Sequence, residues 1–249
     1  MKTICVIPAR YASSRLPGKP LAEIAGKPMI QWVYEQASKA NNIDEVIVAT
    51  DHTAIKKAVE NFNGMAVMTA PELPSGTDRV YAAIKEKSAD IVINLQGDEP
   101  FISEKILENL VNVFENPEVE IATAVKKIEK EADISNPNVV KVTRASNGFA
   151  LYFSRSAIPF IRDNRTPGEN LSVFYKHIGI YAYRKSCLEK LTELGESNLE
   201  RSEKLEQLRF LENNYRIFTI LTDYESISVD TPDDLKKANS IASQLQNNT

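Results

Sequence analysis

Thr3-Ile4-Cys5-Val6-Ile7 runs directly into Pro8-Ala9-Arg10-Tyr11-Ala12-Ser13-Ser14-Arg15-Leu16-Pro17-Gly18-Lys19-Pro20-Leu21. A short apolar run rich in β-branched residues reads as a buried strand, and the cationic segment after it reads as the loop leaving its C-terminal end. In open α/β sheets that edge binds ligands. Arg10, Arg15 and Lys19 fall within ten residues of one another there, so the expected ligand is a polyanion such as a triphosphate. A Walker loop is excluded, because that motif needs glycine where Ser13 stands and Ser or Thr where Pro20 stands. The plainer alternative is a solvated basic loop shaped by Pro17 and Gly18.

Outward from this stretch, the first 125 residues alternate apolar runs with helical periodicity, the pattern of βαβ units and a mostly parallel α/β sheet. Strands are predicted at Thr3 to Ile7, Asp44 to Ala49, Met65 to Met68, Ile91 to Asn94 and Glu120 to Val125. Helices are predicted at Met29 to Ala40, His52 to Asn61, Gly76 to Lys87 and Ser103 to Phe114. Ile30, Val33, Tyr34 and Ala37 recur at helical spacing and form a core stripe. From about Pro137 the pattern turns strand-rich, with Val139 to Thr143, Ala150 to Phe153 and Tyr175 to Tyr183, and Asn147-Gly148 supplies a two-residue hairpin turn. Arg162 to Ser172 reads as a loop. Helices return at Lys185 to Leu194 and Ser202 to Asn213, then a strand at Arg216 to Leu221 and a last helix from Thr231 to Leu245. Thr231 and Asp234 form a capping pair there, with Pro232 at the first helical position.

The net charge of −4 and pI near 5.5 are mild, unlike the basic balance of a nucleic-acid binder, so the local cations point to a small anionic ligand and no nucleic acid. No apolar stretch is long enough to span a membrane, and the N-terminal run meets Pro8 and Arg10 too soon for a signal peptide; a cytoplasmic location is expected. Cys5 and Cys187 are too far apart in sequence to suggest a metal cluster and are expected to be reduced and buried.

Several constellations carry chemistry. Asp98, in Gln96-Gly97-Asp98-Glu99-Pro100 after the apolar run Ile91 to Ile93, is placed either to hold a phosphate-bound Mg²⁺ or simply to start the turn into the next helix. Asp230, in Val229-Asp230-Thr231-Pro232, is open to the same two readings, second metal carboxylate or helix cap. Ser75-Gly76-Thr77-Asp78-Arg79 opens a helix, offering N–H groups and a cation to an anion or a base edge, or only helix-start residues. Strand alternation puts His177, Gly179 and Tyr181 on one face; opposite Glu206 and Gln207 these could grip a polyol, or His177 could be a core histidine. His52 reads as structural. Zinc, nucleophile-elbow and Gly-x-Gly-x-x-Gly signatures are absent.

Seven separated motifs, in order, resemble the 3-deoxy-manno-octulosonate cytidylyltransferase family over almost the full length: the opening loop, Ser-Gly-Thr-Asp-Arg, Gln-Gly-Asp-Glu-Pro, Tyr-Phe-Ser-Arg, His-Ile-Gly-Ile-Tyr, Leu-Glu-Gln-Leu-Arg and Val-Asp-Thr-Pro-Asp-Asp-Leu. The resemblance implies a Rossmann-like nucleotidyltransferase sheet with a smaller strand-rich dimerisation and sugar-binding section. In one domain over 1–249, residues 1–135 would mainly bind nucleotide, 136–215 the sugar and a second subunit, and 216–249 would return to the core with a metal carboxylate. It implies transfer of CMP from CTP to the sugar acid Kdo in lipopolysaccharide precursor synthesis, with Mg²⁺ and a homodimer. Arg10, Ser13, Arg15, Lys19, Ser75, Gly76 and Arg79 would then bind CTP. Asp98 and Asp230 would hold the metal and, with Lys19 and Arg10, carry catalysis. Gln96, Arg155, His177, Tyr181, Glu206 and Gln207 would form the sugar pocket, Arg155 taking the sugar carboxylate bidentately. Transfer to the 8-amino analogue of Kdo or another acid sugar is the nearest alternative. A silent nucleotide-binding module is the remote one, and it conflicts with the presence of all four catalytic candidates.

Overall fold

The computed structural model describes residues 1–12, 16–162 and 171–247; Ser13 and Arg15 lie outside them, as does most of the loop expected at Arg162 to Ser172. In chain order the elements are β1 (Thr3–Ala9), β2 (Glu23–Ile24), β3 (Lys27–Pro28), α1 (Met29–Ala37), β4 (Glu45–Thr50), α2 (Thr53–Asn61), β5 (Met65–Met68), α3 (Gly76–Ile84), β6 (Ile91–Asn94) and α4 (Glu104–Asn112). They continue with β7 (Ile121–Lys127), α5 (Glu131–Ser135), β8 (Lys141–Arg144), β9 (Ala150–Ser154), β10 (Tyr175–Arg184), α6 (Lys185–Thr192), α7 (Asn198–Glu203), α8 (Gln207–Glu212), β11 (Ile217–Leu221) and α9 (Pro232–Asn247). The fold is mixed α/β with a mostly parallel sheet. By its contacts the chain forms two compact units, Met1–Val111 with Ser226–Thr249, and Asn112–Glu225.

In the first unit four parallel strands run in the order β6-β1-β4-β5. Ile4, Cys5, Val6 and Ile7 are fully buried, and burying each large aliphatic is worth about 1.5–3 kcal/mol, which places β1 at the centre. Helices α1 and α3 pack on β1 and β4. The chain steps outward from β1 through β4 to β5, then returns to β6 on β1's other side. Beyond the carboxyl ends of β1 and β6 lies the topological switch point where open sheets bind ligands. The β1–β6 pairing stops at Val6↔Asn94 while β1 continues against β4 to Ala9↔Thr50, so the strand ends diverge there.

Two short elements were not foreseen in this unit. The β2–β3 hairpin turns through Ala25 and Gly26, both left-handed at φ 47° and 80°, and α9 packs on β2. Around it Ile24, Met29, Trp32, Val229, Ala238 and Ala242 form one buried cluster. α1 ends at Ala37 rather than Ala40, and its core stripe includes Trp32, whose indole N–H donates to the Ile24 carbonyl at 2.8 Å.

In the second unit β7 pairs parallel with β11 and antiparallel with β10, and β10 leads on through β8 to β9, both antiparallel. The β8–β9 connection is longer than a two-residue turn: Ala145 N–H donates to the Phe149 carbonyl at 2.8 Å, Gly148 between them stands at φ 90°, and Phe149 bridges Phe218. The expected helix over Ser202 to Asn213 is two helices, α7 and α8, broken where Lys204 adopts a left-handed φ of 52°. The pairing of β10 with β7 slips between Ile178 and Tyr181, while buried and more exposed residues still alternate from Ile178 to Ala182. Cys5 and Cys187 are buried and unpaired, as expected.

Candidate active site

The first unit carries a cavity of about 360 Å³ at the switch point, lined by Pro8, Ala9, Arg10 and Ala12 after β1, by Lys19 and Pro20, by Gly76 at the start of α3, by Gln96, Gly97 and Asp98 after β6, and by Asp230 before α9. Lys19 begins a single 3-10 turn, Lys19–Leu21, reached through Gly18 at φ 66°, a conformation that favours glycine. Its ammonium lies 2.6 Å from Asp98 Oδ2 and 3.1 Å from Asp230 Oδ1. Burial works against the Lys19 charge, but attraction and hydrogen bonds from Asp98 and Asp230 outweigh it, and its pKa stands above the ordinary lysine value. Gly97 lets the turn after β6 lie close to the end of β1, since a Cβ there would meet the Pro8 carbonyl oxygen at 3.1 Å.

The two readings of Asp230 separate on the structure. Helix α9 is capped by reciprocal bonds between Thr231 and Asp234, with Asp234 N–H donating to Thr231 Oγ1 at 3.2 Å and Thr231 Oγ1 to Asp234 Oδ2 at 2.7 Å. The Asp230 carboxylate is not needed for that cap and turns to Lys19. Likewise the Asp98 carboxylate faces Lys19, while its backbone carbonyl accepts from Val229 N–H at 3.0 Å.

Of the expected nucleotide ligands, Arg10, Lys19 and Gly76 meet at the cavity, while Ser75 and Arg79 are not in its lining. Ser75 is engaged in a capping box with Asp78. Arg79 is fully buried and donates to Thr69 Oγ1 and, at 3.2 Å, to Asp51 Oδ2. Burial pulls its pKa below the usual arginine value, Asp51 opposes that and Arg10 adds to it. Asp51 was missed by sequence reasoning. Its other oxygen accepts the Tyr11 N–H at 3.3 Å, so one carboxylate ties the cationic loop to Arg79. His52 caps α2 through Nδ1 and stacks on Tyr11 at 3.9 Å, the structural part read for it.

Gln96 lines the same cavity and donates to Asn94 at 3.1 Å. The other expected sugar ligands lie in the second unit. His177 and Tyr181 remain ring neighbours, 5.3 Å apart, despite the slip in β10 between them. Thr123 explains how: its hydroxyl reaches the Ile180 carbonyl at 2.7 Å and His177 Nε2 at 2.9 Å. A hydroxyl has one proton to give. If it goes to Ile180, Nε2 carries the imidazole proton and Nδ1 is an acceptor. Tyr181 Oη is buried without a hydrogen-bond partner among the described residues, and burial, then Tyr183 and Glu206, keep the phenol protonated well above its usual range. Gln207 is buried and Glu206 half-buried at the start of α8. The Arg155 guanidinium donates to three backbone carbonyls, of Glu203 at 2.6 Å, Pro137 at 2.9 Å and Lys204 at 3.3 Å, which leaves two of its five N–H groups for a carboxylate.

Burial pushes His177 down from 6.5 to about 3. The unfolded chain therefore takes up this proton first, so stability is full above pH 6.5 and falls as pH drops toward 3. A His177→Gln variant is expected to lose less stability between pH 7 and pH 5 than the parent, measured by urea midpoints. An equal loss in both would remove His177 as the cause.

Residues 4–217 match the model of the cytidylyltransferase family. The chain belongs to that family. A 3-deoxy-manno-octulosonate cytidylyltransferase of Thermodesulfovibrio yellowstonii is 50% identical over 96% of this chain and 97% of its own length. An 8-amino-3,8-dideoxy-manno-octulosonate cytidylyltransferase of Shewanella baltica is 48% identical over 95% and 97%. Among solved structures, a CMP:2-keto-3-deoxy-manno-octonic acid synthetase complexed with CTP superposes with a TM-score of 0.92 at 43% identity, covering 98% of this chain and all of that one. The nucleotidyltransferase fold implied by the seven motifs is thus the fold observed.

Proposed function

We propose that this chain transfers CMP from CTP to 3-deoxy-manno-octulosonate, releasing pyrophosphate, as a step of lipopolysaccharide precursor synthesis. The observation that carries the reading is Lys19 held between Asp98 and Asp230 in a cavity that also presents Arg10 and the first turn of α3. Full-length similarity to relatives bearing that name supports the substrate pair.

The anomeric hydroxyl of the sugar attacks the α-phosphorus in line as pyrophosphate departs. Arg10 and Lys19 supply positive charge along the triphosphate, and the N–H groups opening α3 at Gly76 add donors for a phosphate oxygen. Asp98 and Asp230 suit Mg²⁺: two carboxylates already converge on one cation, and Mg²⁺ is usually held by one or two carboxylates together with phosphates. Bound Mg²⁺ would offset charge on the phosphates and the leaving group. Positioning supplies much of the remaining acceleration. In the second unit, His177 Nδ1, the Tyr181 hydroxyl, Glu206 and the Gln207 amide would take the sugar's hydroxyls. A buried phenol left without a partner costs about 1–3 kcal/mol, which a sugar hydroxyl would recover. We place Arg155 as a frame for this cluster that keeps two N–H groups for the sugar carboxylate.

The reading includes a homodimer, in keeping with Leu151 and Phe160 exposed in the second unit. No helix among the described residues is long and apolar enough to cross a membrane. Our reading puts the reaction in the cytoplasm.

The 48% identity to an 8-amino-sugar enzyme sustains a second reading of the acceptor. Pyrophosphate release measured in parallel with Kdo, its 8-amino analogue and sialate is expected to give the highest kcat/KM with Kdo. Turnover with the 8-amino sugar alone would replace the acceptor named here.

A further inference from the structure

Asp98 and Asp230 come from distant parts of the chain, yet both reach the same ammonium. Nothing in either local sequence fixes their separation. The segment that delivers Asp230 has no regular structure from Tyr224 to Asp230 and is tied to the Gly97-Asp98-Glu99 turn at two points. Ser226 Oγ donates to Glu99 Oε1, and Val229 N–H donates to the Asp98 carbonyl at 3.0 Å. Val229 is itself fully buried in the cluster with Ile24, Met29 and Trp32. The neighbouring acids divide the work: Glu99 is turned inward, 7% exposed, and Asp98 faces the cavity. A carboxylate that deep needs donors, and the Ser226 hydroxyl supplies one.

We infer that Glu99 and Ser226 are positioning residues that set the spacing of Asp98 and Asp230, and with it the affinity of the pair for a divalent cation. The inference rests on the reading of the two aspartates as cation ligands. Neither Glu99 nor Ser226 lines the cavity, so neither acts on substrate directly; they act through the backbone that carries the ligating carboxylates. Residues that hold metal ligands in place typically change affinity by about 10–100-fold when removed.

The test is Mn²⁺ binding to the full chain with saturating CTP and no sugar, read from the electron paramagnetic resonance signal of free Mn²⁺. Ser226→Ala is expected to weaken Mn²⁺ about tenfold, with little change in melting temperature or in CTP affinity without metal. Ser226→Thr keeps the hydroxyl and is expected to restore parental affinity. Asp98→Asn serves as the second arm. If Asp98→Asn weakens Mn²⁺ and Ser226→Ala does not, the positioning role is overturned and the cation site stands. If Ser226→Thr weakens Mn²⁺ as much as Ser226→Ala, the hydroxyl is not the cause and the inference fails. Unchanged Mn²⁺ affinity in Asp98→Asn would overturn the cation reading itself.

Discussion

Asp98→Asn is expected to cut turnover by on the order of 10³-fold, the scale of a metal's charge stabilisation in a transition state, while CTP binding weakens only a few-fold. The substitution keeps shape and one oxygen, so Lys19, now 2.6 Å from Asp98 Oδ2, still finds an acceptor. What goes is the negative charge that with Asp230 makes a site for a hard cation. On the proposed reading CTP without sugar would be held mainly by Arg10, Lys19 and the start of α3 at Gly76, which line the cavity and which the change leaves in place. The effect therefore falls on kcat. Steady-state kinetics at saturating Mg²⁺, paired with calorimetric titration of CTP, separates the two quantities. Near-normal turnover would remove Asp98 from the mechanism, and a loss confined to CTP affinity would make it a ground-state contact only.

How far the sequence foresaw this site depends on the kind of signal. β5 and β6 have the predicted bounds, and β1 and β4 shift by one or two residues; buried β1, β4 and β6 read as unbroken apolar runs, and β5 reads the same way although Met65 and Met68 are exposed. The start of α3 was visible as a small-residue turn, Ser75-Gly76, leading into the helix-start residues Thr77 and Asp78; the capping box of Ser75 with Asp78 is what the structure adds. The break at Lys204 was not, since apolar spacing continues across it and a left-handed lysine has no compositional mark. The slip in β10 was equally silent, because Gly179 and Ile180 preserve alternation while Thr123 on another strand takes up both the Ile178 and Ile180 carbonyls.

Among the site residues, Asp98 and Asp230 were legible as acids just beyond apolar runs, where an open sheet exposes its carboxyl ends. The geometry adds that Thr231 and Asp234 fill the cap of α9, leaving the Asp230 carboxylate to meet Lys19. Arg79 shows the limit of the same logic. A cation one turn into a helix at the ligand edge can face either cavity or core, and its partner Asp51 lies 28 residues away, beyond the reach of any local pattern. The three carbonyls on Arg155 belong to the same class, because backbone acceptors leave no trace in residue identity.

Lys19→Met should act differently from Asp98→Asn, and the contrast tests the site as a whole. With the cation gone, kcat/KM for CTP is expected to fall about 10²–10³-fold, the range for one preorganised charge stabiliser, with KM for CTP rising as well because on the proposed reading Lys19 would also meet the ground-state triphosphate. Alkaline pH cannot imitate this change under ordinary conditions. The Lys19 pKa is raised, so the stability of its bonds to Asp98 and Asp230 is fully present below the ordinary lysine value of 10.5 and is lost only as pH climbs through the raised one. Metal binding should move the other way. The ammonium sits on both carboxylates, at 2.6 and 3.1 Å, and a divalent cation taking the same pair would have to displace it. Removing that competitor should tighten Mn²⁺ binding without nucleotide, whereas Asp98→Asn weakens it. A variant that loses activity yet binds Mn²⁺ no better than the parent would show that Lys19 and the cation do not share the carboxylates. A centre at which CTP draws Lys19 toward its phosphates while the metal takes its place on the carboxylates would then be ruled out.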